Sequence, residues 1–513
     1  MEILNSIFYW IIKKRIHEVE LFTKYPIDVQ LEVFHKLRQQ AKDTEWGKKH
    51  GYKDIKTVAA YKKRFPVQDY ETIKKDVLRM KHGEQNILWS SEIKWFAKSS
   101  GTTSDRSKYI PVSHEALEDC HYKGGKDMLS IYCNHYPDSK VFAGKSMILG
   151  GNMTINQFSS DSYYGDLSSI IIENIPWWAE FRRTPSKTLA LMGEWEEKIE
   201  KMARVTAKQD IRNISGVPSW MLVFLRKVLE VTGKSNVLEV WPYLEIFFHG
   251  GVSFSPYREL YRELIPSDGM HYLENYNASE GFFALQDQKD SQDLLLMLDY
   301  GIFYEFMPLD EVGKDDPQTL GLDEVELGET YAIVISTNGG LWRYMIGDTV
   351  RFTSLSPFRI RVAGRTKFYI NAFGEELMQE NAEQGLATAC EKTGAVIQDY
   401  TAGPVFMTQN GKGGHQWLIE FEKEPASLDY FQEVLDNALK SLNSDYEAKR
   451  YKNMTLVEPS IISLPSGTFY AWMRKRGKIG GQNKVPRLAN DRKHLDAVLD
   501  FIDKRSSGKS HTA

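Results

Sequence analysis

Phe96-Ala-Lys-Ser99-Ser100-Gly101-Thr102-Thr103-Ser104-Asp-Arg-Ser107-Lys108-Tyr109-Ile110-Pro111-Val112 sets a hydroxyl-rich loop between two apolar runs. Six of its nine residues from 99 to 107 bear hydroxyls, around a single glycine. The pattern reads as strand, loop, strand. Hydroxyls and unpaired backbone N–H groups in such a loop can donate to phosphate oxygens, and Gly101 lets a ligand come close. Ser and Gly also mark ordinary polar turns, which is the competing reading. A Walker A site is excluded. Gly144-Lys145-Ser146 and Gly508-Lys509-Ser510 have Ser139 and Asp503 where the first glycine must stand. GxGxxG, HExxH and GxSxG are absent, which disfavours dinucleotide, zincin and α/β-hydrolase sites.

Working outward, the first ninety residues show helical spacing, with Ile12, Ile16, Val19 and Phe22 in one stripe and a second stripe from Val29 to Leu37. From Ile93 onward, short apolar runs (95–97, 109–112, 146–149, 331–336) alternate with helical segments such as 115–129 and 194–203. That alternation predicts a large mixed α/β N-terminal domain over residues 1–364. Beyond Arg365 the order becomes helix (376–392), two strands (399–408, 416–422), helix (428–442) and strand (454–460), which predicts a small, mobile α+β C-terminal domain over 365–513. The boundary falls near 364–368.

The 513 residues carry 65 basic and 69 acidic side chains, a net charge of −4, so the chain lacks the positive field that non-specific nucleic-acid binding requires. Cys120, Cys133 and Cys390 are too few and too scattered for a disulfide framework or a CxxC site, and fit a reducing compartment. The run Ile7–Ile12 is short and is followed by Lys13, Lys14 and Arg15, the reverse of a secretory signal, and no other stretch approaches the ~18 apolar residues of a membrane span. A soluble cytoplasmic protein is expected.

A second signal lies at Phe247-Phe-His-Gly250-Gly251-Val252-Ser253 and His271-Tyr-Leu-Glu-Asn275-Tyr276-Asn277-Ala278-Ser279-Glu280-Gly281, each a strand ending in a polar or glycine turn. Tyr276 could stack on a base, Ser279 meet a phosphate and Glu280 hold a hard cation. A core tyrosine and a helix N-terminal charge that favours the macrodipole are the plain readings. A third signal is Trp342-Arg343-Tyr344-Met-Ile-Gly347-Asp348, followed by Arg361-Val-Ala-Gly364-Arg365-Thr-Lys367; Asp348 could accept both hydroxyls of a ribose, or be a turn residue before a strand. The segment 471–493 holds eight basic residues against Asp491 alone, with Gly477, Gly480 and Gly481 in the loop before Lys484.

In this order the pieces resemble the adenylate-forming superfamily, and most closely the Gretchen Hagen-type auxin-responsive acyl-acid amido synthetases. The likeness runs from Ala41-Lys-Asp-Thr44-Glu-Trp-Gly47 to Gly467-Thr-Phe469 and Gly480-Gly-Gln482-Asn-Lys484-Val-Pro486-Arg487. It departs from the plant members after Asp348, where Gly364-Arg365-Thr-Lys367 is similar to the hinge of the wider superfamily. The resemblance implies an acyl-adenylate-forming fold that uses ATP and Mg²⁺ to activate a carboxylic acid, and an amino acid as acceptor. It further implies that Ser99, Ser100, Gly101, Thr102 and Thr103 cradle the β- and γ-phosphates, and that Gly251, Val252, Ser253 and Tyr276 line the adenine and acyl pocket. Ser279 would meet the α-phosphate, Glu280 ligate Mg²⁺, Asp348 hold the ribose and Arg365 reach the nucleotide. Lys484 would be the catalytic cation. Phe158, Tyr163, Tyr164 and Trp177 are candidate acyl-pocket aromatics. A coenzyme A ligase of the same superfamily and a non-catalytic nucleotide-binding protein are the alternatives.

Overall fold

The structure, a computed structural model, describes residues 14–100, 107–150, 155–159, 161–252, 254, 257–366, 369–407, 412–453, 455–476 and 486–508. The chain divides into two units. The first is Met1–Ser99, Lys108–Gly251 and Tyr261–Thr366; the second is Ser100–Ser107, Val252–Leu260 and Lys367–Ala513.

The first unit opens with helices at 14–24, Pro26–Ala41, Glu45–Lys49, Val58–Arg64 and Tyr70–Lys81. Their starts are written in the sequence. Pro26 occupies a first turn, and Thr44, Thr57 and Asp69 each accept a backbone N–H three residues on. Buried Phe34, Leu37, Tyr61, Ile73 and Val77 join these helices to the core. Arg15 fastens the chain's start: its guanidinium meets both oxygens of Asp127 at 2.7 Å and Asp299 at 2.6 Å.

Among the described residues fifteen strands follow: β1 (Trp95–Ser100), β2 (Ser107–Val112), β3 (Lys145–Ile148), β4 (Asn156–Ser159), β5 (Ser162–Gly165), β6 (Arg183–Thr184), β7 (Ile211–Gly216), β8 (Ile246–Gly250), β9 (His271–Ala278), β10 (Gly281–Gln286), β11 (Leu294–Leu296), β12 (Ile302–Pro308), β13 (Thr330–Thr337), β14 (Tyr344–Leu355) and β15 (Phe358–Arg365). A small sheet has the order β2-β1-β5-β4, and a large one the order β12-β13-β14-β15-β11-β10-β9-β8-β7-β3-β6. In the large sheet β6, β3, β7, β8 and β9 are parallel, while β9 through β12 pair antiparallel. Ligands in parallel sheets sit beyond the carboxyl ends of the strands. Here those ends carry Gly216, Gly250 and the Ser279-Glu280 turn.

The antiparallel half is curled. Three strands lie between β9 and β14, so in a flat sheet their axes would stand about 19 Å apart. Yet the Tyr276 hydroxyl on β9 reaches the Asp348 carboxylate on β14 at 2.7 Å. Only a sheet closing toward a barrel allows this. Its interior is filled by an aromatic chain, Tyr276, Phe283, Tyr304, Phe306, Phe352 and Phe358, with successive centroids 4.9 to 6.5 Å apart.

In the second unit, β16 (Tyr369–Ile370) pairs with β17 (Leu377–Met378), and β18 (Val396–Val405), β19 (Gly414–Lys423) and β20 (Ser460–Leu464) form a sheet beside helices Gln379–Thr393 and Leu428–Leu442. The last strand departs from expectation. The sequence places it at 454–460, whereas regular pairing runs over Ser460–Leu464, parallel to β19. Pro459 has no N–H to give a ladder, and among the described residues the segment before it makes a single bridge, Gly413 to Leu456. Among the described residues no helix is long and apolar enough to cross a membrane.

Candidate functional site

The Ser279-Glu280 turn is the shortest hairpin connection available: Gly281 pairs with Ala278 on either side of it. Phe283 is an extra residue in β10, a bulge that sends its ring into the aromatic chain against Tyr276 at 4.9 Å. Ser279 and Glu280 are both partly exposed at the carboxyl end of β9. Beside them, parallel pairing sets Gly250 opposite Asn275. A Cβ on Gly250 would stand 2.4 Å from the Asn275 carbonyl oxygen, so only glycine fits, and the Gly250-Gly251 turn is held one residue from Tyr276.

Asp348 faces this hairpin from β14. A bulge shapes its partner strand: Thr349 pairs with Gly364 but Val350 with Val362, leaving Ala363 as the extra residue. Regular pairing would have set Asp348 opposite Gly364; the bulge sets it opposite Arg365 instead. The Arg365 Nε donates to Asp348 Oδ1 at 2.8 Å, and the Tyr276 hydroxyl donates to Oδ2 at 2.7 Å. Each carboxylate oxygen thus spends one acceptor position and keeps another, and the side chain remains 12% exposed. That is the capacity needed to accept two neighbouring ribose hydroxyls. Burial, and then the Asp348 charge, raise the Tyr276 pKa well above its ordinary value, which keeps the phenol a donor.

Tyr344 begins the same strand. It is fully buried, its hydroxyl has no partner among the described residues, and its pKa is raised by burial first and then by the charge of Glu280. Its neighbour Arg343 holds a left-handed backbone (φ 43°) in the core. Such a conformation costs on the order of 1–3 kcal/mol and persists only where surroundings impose it. Here Arg343 binds Glu305, Thr319 Oγ1 and the carbonyls of Lys62 and Phe65, while Gln68 bridges Arg343 and Met345 through backbone bonds. The sequence pattern assigns a role to neither residue.

The structure therefore joins Tyr276, Asp348 and Arg365 directly, with the Ser279-Glu280 turn at the end of the strand that carries Tyr276. Ser99 and Ser100 end β1, and Val252 is buried in the second unit. Gly101, Thr102, Thr103, Ser253 and Lys484 lie outside the described residues. The acyl-pocket aromatics part company. Trp177 is 84% exposed, whereas Phe158 and Tyr164 gather with Tyr109 around the buried Lys81 ammonium, which lies 3.3 Å from the Tyr109 centroid and 3.9 Å from that of Phe158.

A parallel sheet continuing into a curled antiparallel one, with a hairpin turn and a carboxylate brought together by the curl, is the fold of the adenylate-forming enzymes. The acyl acid amido synthetase AtGH3.15 in complex with 2,4-DB shares it at TM-score 0.59 and 16% identity, over 92% of this chain and 93% of that one. So does a 2-hydroxyisobutyryl-CoA ligase, at TM-score 0.56 and 12% identity, over 94% and 93%. Residues 15–270, 295–365 and 380–493 match the N-terminal, central and C-terminal domains of the GH3 family, and the chain belongs to that family. The indole-3-acetic acid-amido synthetase GH3.3 of Arabidopsis thaliana is 22% identical to it, over 96% of this chain and 93% of the relative.

Proposed function

We propose that the protein condenses a carboxylic acid with the amino group of an amino acid in two steps driven by ATP. In the first, an oxygen of the acid attacks the α-phosphorus, the bond to the β-phosphate breaks, and acyl-adenylate and pyrophosphate form. In the second, the amine nitrogen attacks the acyl carbon, AMP leaves, the amide forms and the nitrogen gives up a proton. The observation that carries this reading is the Tyr276–Asp348–Arg365 constellation beside the Ser279-Glu280 turn. Family membership and the acids named for GH3.3 and AtGH3.15 support it.

Asp348 would hold the ribose while Tyr276 and Arg365 fix its carboxylate plane. Fixing the nucleotide in this way lowers the barrier by positioning, the main resource in phosphoryl chemistry. Gly251, Val252 and Ser253 would border the adenine, Ser279 would donate to the α-phosphate, and the hydroxyls of Ser99 to Thr103 to the outer phosphates. Magnesium fits the donor set. It binds through one or two carboxylates plus substrate phosphates, and Glu280 offers one partly exposed carboxylate at the turn, while no cluster of three or more metal ligands occurs among the described residues. Magnesium held there would neutralise phosphate charge. Lys484 would stabilise the negative charge on the transferring phosphate. The three free thiols support a reducing, cytoplasmic setting.

The CoA ligase that shares the fold, together with the hinge-like Gly364-Arg365-Thr-Lys367, favours a second reading in which a thiol replaces the amine. Mass spectrometry of products decides. Enzyme, ATP, Mg²⁺ and an acid, supplied with twenty amino acids and coenzyme A together, should yield an N-acyl amino acid. A thioester as the sole product would assign the ligase reading instead.

A further inference from the structure

The chain leaves the first unit at Gly251 and returns to it at Tyr261; the stretch between, Val252–Leu260, belongs to the second unit. Gly251 makes the departure with a left-handed backbone, φ 83°. Val252, Phe254 and Tyr257 are buried on this stretch, Tyr257 completely. The Tyr257 hydroxyl donates to the Ala372 carbonyl at 2.6 Å. Burial, and then the charge of Glu375, raise the Tyr257 pKa well above its ordinary value, which keeps the phenol a donor.

Ala372 stands in the turn between β16 and β17, and that turn is built around one carboxylate. The Glu375 side chain is 0% exposed, as is that of His415 on β19. Glu375 accepts from Ala372 N at 3.2 Å, from Phe373 N at 2.7 Å and from His415 Nε2 at 2.8 Å. Such a carboxylate is costly to bury unless its oxygens are paired, and pairing them to two backbone N–H groups of its own turn fixes the turn. The backbone needs that fixing. Gly374 (φ 86°) and Glu376 (φ 40°) are both left-handed, and for Glu376 that conformation persists only where the surroundings impose it. Glu376 N donates to Asn371 Oδ1 at 3.3 Å, and its carbonyl accepts from Asn443 Nδ2 at 3.0 Å. Packing closes the turn as well: a Cβ on Gly413 would stand 2.2 Å from the Phe373 ring.

We propose that Tyr257 and Glu375 are positioning residues for the nucleotide base: the chain of contacts Tyr257–Ala372–Glu375–His415 holds Val252–Leu260 in one conformation, and so fixes the edge that Gly251 and Val252 present to adenine. This role rests on the proposed function, which sets adenine beside those two residues. Neither Tyr257 nor Glu375 touches the base; both act through the backbone they hold. An edge ordered in advance binds more tightly than one that must be ordered by its ligand.

The test is acid-dependent pyrophosphate exchange run with ATP and with GTP, in wild type, Tyr257→Phe, Glu375→Ala and Glu375→Gln. Wild type should prefer ATP. Tyr257→Phe should raise the KM for ATP by roughly 3- to 10-fold, the range of one uncharged hydrogen bond, narrow the preference for ATP over GTP, and leave the KM for the acid unchanged. Glu375→Ala should do the same more strongly, and Glu375→Gln, which keeps an acceptor for the turn, should restore most of the loss. A merely structural role would lower the melting temperature and leave base preference where it was. Should Glu375→Ala prove insoluble, Tyr257→Phe decides alone, since it keeps the buried ring. An unchanged KM for ATP with an unchanged ATP-to-GTP ratio in Tyr257→Phe overturns the positioning role while the proposed function stands. So does an equal rise in KM for ATP and for the acid. No exchange by wild type with any acid removes the proposed function, and this inference with it.

Discussion

Tyr276→Phe deletes a single oxygen, and the oxygen it deletes donates to a carboxylate at 2.7 Å. Hydrogen bonds to charged groups are worth about 1.5–3 kcal/mol, so chemical denaturation should show a loss of that size. The ring itself stays wedged against Phe283, and the variant should remain folded. Because Asp348 then keeps only Arg365, ATP should bind more weakly as well; unchanged stability and unchanged KM for ATP would show that the bond holds neither. His121 gives a second test at this scale. Its pKa falls from 6.5 to about 4 in the fold, so the unfolded chain takes up a proton that the native chain refuses. Its contribution to stability is complete above pH 6.5 and is lost as the pH drops toward 4, by about 3 kcal/mol in all. His121→Leu should flatten that part of the unfolding profile. An identical pH slope in both proteins would mean that the ring is not desolvated.

Adjacent glycines in one helix make opposite predictions. Gly124→Ala drives a methyl into the Phe282 ring and should destabilise by about 1–3 kcal/mol, since neither the π-helical turn at Ala116–His121 nor β10 can withdraw without breaking the bond from Phe282 N to the Cys120 sulfur. Gly125→Ala enters open space and gains helix propensity, so it should be neutral or stabilising by up to about 1 kcal/mol. Thermal melts of the two variants check both signs. Elements of this kind were unevenly legible in the sequence. The Asn277-Ala278-Ser279-Glu280-Gly281 turn could be read because a polar pair between two apolar runs has few other uses. The helix at 115–129 was legible too, but its π-helical turn was not, because no residue type marks one. The strand after Pro459 was misread because apolar Met454, Leu456 and Val457 lie before the proline, while the paired residues follow it.

Across the whole molecule, the two residues at the centre of the site, Tyr276 and Asp348, lie 72 positions apart in sequence. Tyr276 and Asp348 are joined by the curl of the sheet, which follows from bulges at Phe283 and Ala363 and from aromatic filling of the interior. Local pattern contains no term for that curvature, so the partnership of Tyr276 with Asp348 was invisible although each residue had been singled out. The motif order nevertheless carried the family. Relatives such as GH3.3 match the protein along 96% of its chain at 22% identity. In the proposed function an acyl-adenylate forms before any acceptor is engaged. Its most direct measurement is exchange of labelled pyrophosphate into ATP by enzyme given Mg²⁺ and an acid but neither amine nor thiol, in wild type and in Lys484→Ala. Wild type should exchange only when the acid is present. Lys484→Ala should exchange ~10²–10³-fold more slowly, yet still convert preformed acyl-adenylate and amino acid to amide, because that step expels no pyrophosphate. Exchange that requires the amine, or that proceeds without the acid, would contradict the account.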